Sequence, residues 1–200
     1  MMEKVPVYIL SGGKSSRFGR DKARAMHAGM PLLLHAVRSF HPIAESVSVI
    51  ADKPGKYDDL GVRTIADITT GLGPIGGLQT AIADLGKDGW LLLASYDLIG
   101  IRSEWLHILL AEISAGSGIQ AVAFRNKIWE PMPALYHTSI KTVVDQIIAR
   151  QKSAIWHVLG AIDSVGLPYP ADWEKAVNIN RPTDLACFKN NCAAAATTRR

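Results

Sequence analysis

Cysteine is scarce in this chain: only Cys187 and Cys192 occur among 200 residues. Two thiols do not make a disulfide framework, and no second Cys/His pair completes a zinc site. Long apolar runs are also missing, and nothing approaches the roughly 18 residues of a membrane-spanning helix. Met1-Met2-Glu3-Lys4 leads into a short apolar run, Val5 to Leu10, so no secretory signal is expected and the reading is cytoplasmic, with reduced thiols. Charge of one sign is lacking too. There are 22 Lys+Arg against 18 Asp+Glu, a net charge of +4, and the longest basic run is Arg199-Arg200. That pattern excludes a dedicated nucleic-acid binder but leaves room for a small polyanionic ligand. The six histidines form no H-E-x-x-H pair and there is no G-x-S-x-G elbow, which argues against a zinc protease or an α/β-hydrolase. The five tryptophans are scattered and read as packing residues rather than a stacking platform.

What is present is a globular composition, 48% hydrophobic and 20% charged. One α/β domain is expected over residues 1–190, followed by a low-complexity tail at 191–200. Strands are predicted at Val5–Leu10, Val47–Ala51, Val62–Ala66, Trp90–Ser95 and Ile119–Phe124, with a short one at Val177–Ile179. Helical spacing covers Pro31–Phe40, Leu78–Leu85, Glu104 to about Ser114 behind a Ser103 cap, Thr138–Arg150 and Ala154–Leu159, and Pro182 opens a last helix. Lys127–Tyr136 carries Pro131 and Pro133 and is expected as an edge or antiparallel element rather than a central strand. The β-α-β-α order implies a largely parallel sheet with helices on both faces. In such a sheet ligands bind beyond the carboxyl ends of the strands. Four polar loops leave those ends: Ser11–Lys22, Asp67–Gly77, Ser95–Arg102 and the turn Asn178-Ile179-Asn180.

The first loop reads Leu10-Ser11-Gly12-Gly13-Lys14-Ser15-Ser16-Arg17-Phe18-Gly19-Arg20-Asp21-Lys22. Its glycines let backbone N–H groups approach phosphate oxygens, and Arg17 and Lys22 add positive charge. It is not a P-loop, because the upstream glycine that motif needs would fall at Tyr8. Gly71-x-Gly73-x-x-Gly76 formally matches a dinucleotide fingerprint, but it does not follow the first strand and Pro74 interrupts it. A Rossmann oxidoreductase is therefore disfavoured. Gly73-Pro74-Ile75-Gly76-Gly77 reads either as a helix start with packing glycines or as a ligand contact. Asp97 at a strand end either caps a turn or holds a hard cation, and Asp67 faces the same choice. Asn178 and Asn180 flank Ile179 at strand spacing, so their amides project to one side.

The first loop resembles the signature of small nucleotidyltransferases, Leu-Ala-Gly-Gly-x-Ser-x-Arg-Met-Gly-x-Asp-Lys. With Asp67, Gly73–Gly77, Tyr96-Asp97, Glu130-Pro131-Met132-Pro133-Ala134-Leu135-Tyr136 and Asn178-Ile179-Asn180-Arg181-Pro182-Thr183-Asp184-Leu185, the chain from about Val5 to Phe188 resembles the molybdenum cofactor guanylyltransferase family. The resemblance implies a three-layer Rossmann-like nucleotidyltransferase fold, with a mostly parallel central sheet flanked by helices. It implies transfer of GMP from GTP to molybdenum-bound molybdopterin with release of pyrophosphate, and transient contact with molybdenum-cofactor proteins. Leu10, Ser11, Gly12 and Gly13 would lie at the nucleotide, with Arg17 and Lys22 as clamps on the phosphates. Asp67 would contact the nucleotide, Asp97 would hold Mg²⁺, and Asn178 and Asn180 would face the pterin. Arg17, Lys22 and Asp97 would carry the catalysis, by positioning and charge stabilisation. A phosphate nucleophile is already ionised at neutral pH, so no general base is required. Ser11 replaces the family's usual alanine and Phe18 its methionine. Ile50 stands where relatives carry an asparagine, and Tyr96-Asp97-Leu98-Ile99 lacks the proline of Cys-Asp-x-Pro. Two alternatives stay open: a CTP-using relative of the same fold, and a nucleotide-binding protein without turnover.

Overall fold

The computed structural model describes residues 4–12, 21–115, 118–181 and 183–185. Gly13 and Arg17 of the expected site, Pro182 with its helix start, both cysteines and the C-terminal tail lie outside the described residues. The strands are β1 (Val5–Leu10), β2 (Met26–His27), β3 (Met30–Pro31), β4 (Ala44–Ala51), β5 (Arg63–Ala66), β6 (Trp90–Ser95), β7 (Leu98–Ile99), β8 (Ala121–Arg125), β9 (Trp129–His137), β10 (Ser164–Leu167) and β11 (Val177–Asn178). The helices are α1 (Leu32–Phe40), α2 (Pro74–Leu85), α3 (Ser103–Ala115), α4 (Lys141–Ala149) and α5 (Trp156–Leu159).

Seven strands form one sheet in the order β10-β8-β9-β6-β1-β4-β5. Only β9 runs against the other six. This is the mostly parallel, helix-flanked sheet expected from the sequence. Strand residues alternate between two cores. Val7, Ile9, Val49, Ala51, Leu92 and Ala94 pack with α1 and α3, while Tyr8, Leu10, Ile50, Leu91 and Leu93 pack with α2, α4 and α5. Both faces are covered, which is why β1 and β6 read as near-continuous apolar runs.

The expectation for Lys127–Tyr136 is half met. The strand β9 is antiparallel, but it lies between β8 and β6 rather than at an edge. Two prolines are tolerated there because they stand outside both ladders. On the β8 side the pairing jumps from Ala123↔Ala134 to Phe124↔Glu130, and on the β6 side it stops at Leu93↔Ala134. Residues lacking an N–H or beside one thus sit in a bulge. Pro6 is accommodated likewise, at a register shift between Val5 and Val7. The edge strand β10 and the hairpin β2–β3 were not expected. Pro31, expected inside a first helical turn, instead occupies the cap position ahead of α1.

The sheet contains one reversal of direction that matters. From β1 the chain winds through β4 to β5 on one side, then returns to place β6 on the other. The crevice between the carboxyl ends of β1 and β6 is the topological switch point, where open α/β sheets bind ligands.

Candidate active site

Leu10 and Ser95 are paired neighbours in register, so the loops leaving β1 and β6 begin side by side. Ser11 is 8% exposed and donates its backbone N–H to the Ile50 carbonyl at 2.8 Å. Ile50 itself is a buried residue inside β4, contributing a backbone acceptor rather than a side chain. A Cβ added at Gly12 would meet the Asp67 carboxylate at 3.8 Å, so the first loop and the end of β5 share this rim.

Lys22 enters from a 3-10 turn, Lys22–Arg24, capped by the Asp21 carboxylate accepting the Ala23 N–H at 3.1 Å. Only 7% of Lys22 is exposed. Its ammonium donates to Asp97 Oδ2 at 2.9 Å and lies 5.3 Å from the centre of the Tyr96 ring. The other oxygen of Asp97 accepts from the Ser95 hydroxyl. The Asp97 carboxylate keeps 24% of its side chain exposed, so a buried cation holds a carboxylate that faces the crevice.

The last sequence element arrives through backbone pairing. Strand β11 pairs antiparallel with β7, and the Ile179 N–H donates to the Asp97 carbonyl at 2.8 Å. Ile179 is fully buried while Asn178 and Asn180 are exposed, as the strand spacing predicted. Neither amide has a side-chain hydrogen-bond partner among the described residues. Asp184 accepts the backbone N–H groups of Asn180 and Arg181, both at 2.7 Å. Those two donors hold its carboxyl below the usual range, and the charge of Lys22 pushes the same way. The carboxylate of Asp184 thus closes the turn that follows Ile179.

Asp67 differs. Burial pushes its carboxyl up, opposed by a long contact from the Thr80 hydroxyl at 3.4 Å. Glu130, at the start of β9 on the same edge of the sheet, is also pushed up by burial and has no ion-pair partner among the described residues. The helix-start glycines are closely packed. A Cβ at Gly77 would fall 2.4 Å from Leu10, and one at Gly76 would fall 2.9 Å from Leu72. Gly73 caps α2 at φ +67°, a conformation that favours glycine.

The structure therefore brings together Leu10, Ser11, Gly12, Lys22, Asp67, Asp97, Asn178 and Asn180. Sequence reasoning missed Tyr57, which is buried against Ser11 and Asp21.

A mostly parallel sheet whose switch-point crevice is rimmed by a glycine turn, a buried lysine and a carboxylate has the build of a nucleotidyltransferase. The chain belongs to the MobA-like NTP transferase domain family, whose model matches residues 7–165. It is similar to a protein named a probable molybdenum cofactor guanylyltransferase from Deinococcus radiodurans, 35% identical over 179 residues, covering 89% of this chain and 90% of that one. A protein of the same name from Nostoc is 29% identical over 195 residues, covering 94% and 92%. Among solved structures, molybdopterin-guanine dinucleotide biosynthesis protein A from Archaeoglobus fulgidus superposes with a TM-score of 0.76 at 23% identity, covering 95% of this chain and 100% of that one. The family indicated by the sequence motifs is the one these relatives carry in their names. No helix among the described residues is long and apolar enough to cross a membrane.

Proposed function

We propose that this nucleotidyltransferase acts in molybdenum cofactor biosynthesis, moving GMP from GTP to molybdenum-bound molybdopterin and releasing pyrophosphate. The observation that carries the reading is the Lys22–Asp97 pair at the switch-point crevice, 2.9 Å apart, in a chain of this family. The names of its relatives favour guanine over other bases and molybdopterin as the acceptor.

Each group has a distinct task. Leu10, Ser11, Gly12 and Gly13 lie against guanine and ribose, where a turn of small residues lets backbone donors reach the base. Asp67, its carboxyl pushed up by burial, accepts from the nucleotide. Lys22 and Arg17 bind triphosphate oxygens as the attacking phosphate approaches the α-phosphorus. Asn178 and Asn180, whose amides have no side-chain partner among the described residues, offer them to the heteroatom-rich edge of the pterin.

The residues suit a magnesium ion. Asp97 is one partly exposed carboxylate at the crevice, and Mg²⁺ commonly takes one or two carboxylates together with substrate phosphates and waters, so an ion there would share the carboxylate with the Lys22 ammonium and the Ser95 hydroxyl. Bound there, such an ion would supply neutralisation of negative charge on the phosphates. Ser95, through its hydroxyl on the other oxygen, keeps the carboxylate turned to the crevice. The acceptor phosphate is ionised at neutral pH, so positioning and charge carry the rate.

The test is pyrophosphate release from GTP, CTP, ATP and UTP in turn, with and without molybdenum-loaded molybdopterin. Release that requires both GTP and the loaded acceptor is expected. Faster release from CTP would move the chain to cytidylyl transfer. Nucleotide binding with no release would make it a binding protein.

A further inference from the structure

We propose that Tyr57 is a positioning residue for nucleotide binding, a clasp that ties the exit of β1 to the turn presenting Lys22. The proposal rests on the reading of Ser11, Gly12 and Lys22 as nucleotide contacts.

Tyr57 follows β4 and is completely buried. Its hydroxyl oxygen lies 2.8 Å from Ser11 Oγ and 3.2 and 3.3 Å from the two oxygens of Asp21. An ionised carboxylate can only accept, so the single phenol proton goes to Asp21. Ser11 must then donate to the phenol oxygen. Burial pushes the phenol pKa up and keeps it in this donor form. One oxygen atom therefore joins two residues that flank the stretch 12–20, from positions 46 and 36 residues away in sequence.

The clasp leads on to the charge that matters. Asp21 accepts the Ala23 N–H and so shapes the turn from which Lys22 reaches Asp97. Arg24 and Lys56 stand 5.3 and 5.4 Å from the centre of the Tyr57 ring, and each also approaches Asp21 at 3.8 Å. With the carboxylate held from several sides, the phenol proton is the contact that connects it to β1. Ring burial alone needs only a phenylalanine. The hydroxyl adds a fixed spacing between Ser11 and the Lys22 turn. Such spacing sets the ground-state contacts of the nucleotide with the first turn, so its loss belongs mainly in KM, and a shift of Lys22 adds a smaller loss in kcat.

Tyr57→Phe removes the oxygen and keeps the ring. GTP affinity by calorimetry, steady-state pyrophosphate release and melting temperature should be measured together. Kd and KM for GTP are expected to rise roughly tenfold, about the scale of one net hydrogen bond, with a smaller fall in kcat. Ser11→Ala should raise Kd by itself, and adding Tyr57→Phe should then cost less than it does in the wild-type chain. Equal Kd and KM in Tyr57→Phe, or a lowered melting temperature with unchanged KM, would reduce the hydroxyl to a structural part and overturn the proposal. If Tyr57→Phe does not fold, an unchanged Kd in Ser11→Ala would overturn it instead. Wild-type protein that binds none of the four nucleotides would sink the functional reading and the clasp with it; wild type that binds while Tyr57→Phe binds as tightly would sink the clasp alone.

Discussion

Two polar clusters flank the first strand, and they are built to opposite ends. On the α2 face, toward the start of β5, Arg63 forks onto both oxygens of Asp84 at 2.7 and 2.8 Å and also donates to Ser48. The Tyr8 hydroxyl closes the cluster by donating to Asp84 at 2.9 Å. Each charge there has a matched partner in good geometry, which is the arrangement of a structural fastening. At the carboxyl rim the groups are under-used. Among the described residues, Lys22 spends one bond on Asp97, Asp67 is half-buried with a single long contact, and Asn178 and Asn180 present free amides. Spare bonding capacity concentrated at a switch point marks the place where a ligand completes the set.

Asp97→Asn should separate the clusters most sharply. The amide keeps the shape and removes the charge that pairs with Lys22 and that, in the proposed function, would hold the metal. Turnover is expected to fall roughly a hundredfold or more, the scale for losing a preorganised electrostatic contact, with the magnesium requirement moved to much higher concentration. Circular dichroism should be unchanged. Normal rates with an unaltered magnesium titration would place Asp97 with the fastenings.

The opposite pattern is expected at Asp84→Asn. Stability should drop by about 1 kcal/mol, limited by the solvent around Arg63, while turnover per folded molecule holds. The pH dependence has a definite sign. The Arg63 guanidinium keeps the Asp84 carboxyl below its ordinary value, so its stabilisation is complete above that value and is lost as pH falls through the depressed one. Acid unfolding should therefore show a component in wild type that is missing in Asp84→Asn. Identical acid profiles would refute the assignment.

The smallest effect is predicted at Asp67. Burial raises its folded pKa, so its stabilisation is present below the ordinary carboxylate value and fades as pH rises through the folded one. Asp67→Asn should melt at the same temperature at pH 7 or about 1–2 °C higher, and bind GTP several-fold more weakly. A clear loss of stability would show Asp67 to be a fastening after all.

Much of this layout could be read in advance because apolar runs and loop glycines act locally. The buried strands β1 and β6 announce themselves by composition, and the polar stretches after them follow from where strands stop. Lys22, Asp97 and Asn178 were singled out because their neighbours in sequence form motifs. Other features depend on distant pairing. The strand β10 is short, with Gly166 inside it, and acquires its identity only by lying against β8. The place of β9 inside the sheet depends on bulging its prolines out of both ladders, which no local propensity reports. Tyr57 carried no signal of its own. The trace it left was Ser11, a hydroxyl where the family usually has alanine, and that hydroxyl needs a partner.

The pairing of β11 with β7 has a consequence for the order in which the molecule is completed. The turn holding Asp97 finds a partner for its backbone carbonyl in Ile179, which is translated 80 residues after Ile99. At about 5–20 residues per second, synthesis of that interval lasts roughly 4–16 s. During this time β1, β4, β5 and β6 can already assemble, while Leu98 and Ile99 wait without their ladder. The family signature that the turn resembles, Cys-Asp-x-Pro, has a proline where this chain has Ile99, and a proline there would stiffen the rim from the moment it is made. In this chain the rim is closed by a segment made 80 residues after Ile99, so nascent protein gains its central strands before it gains a finished crevice.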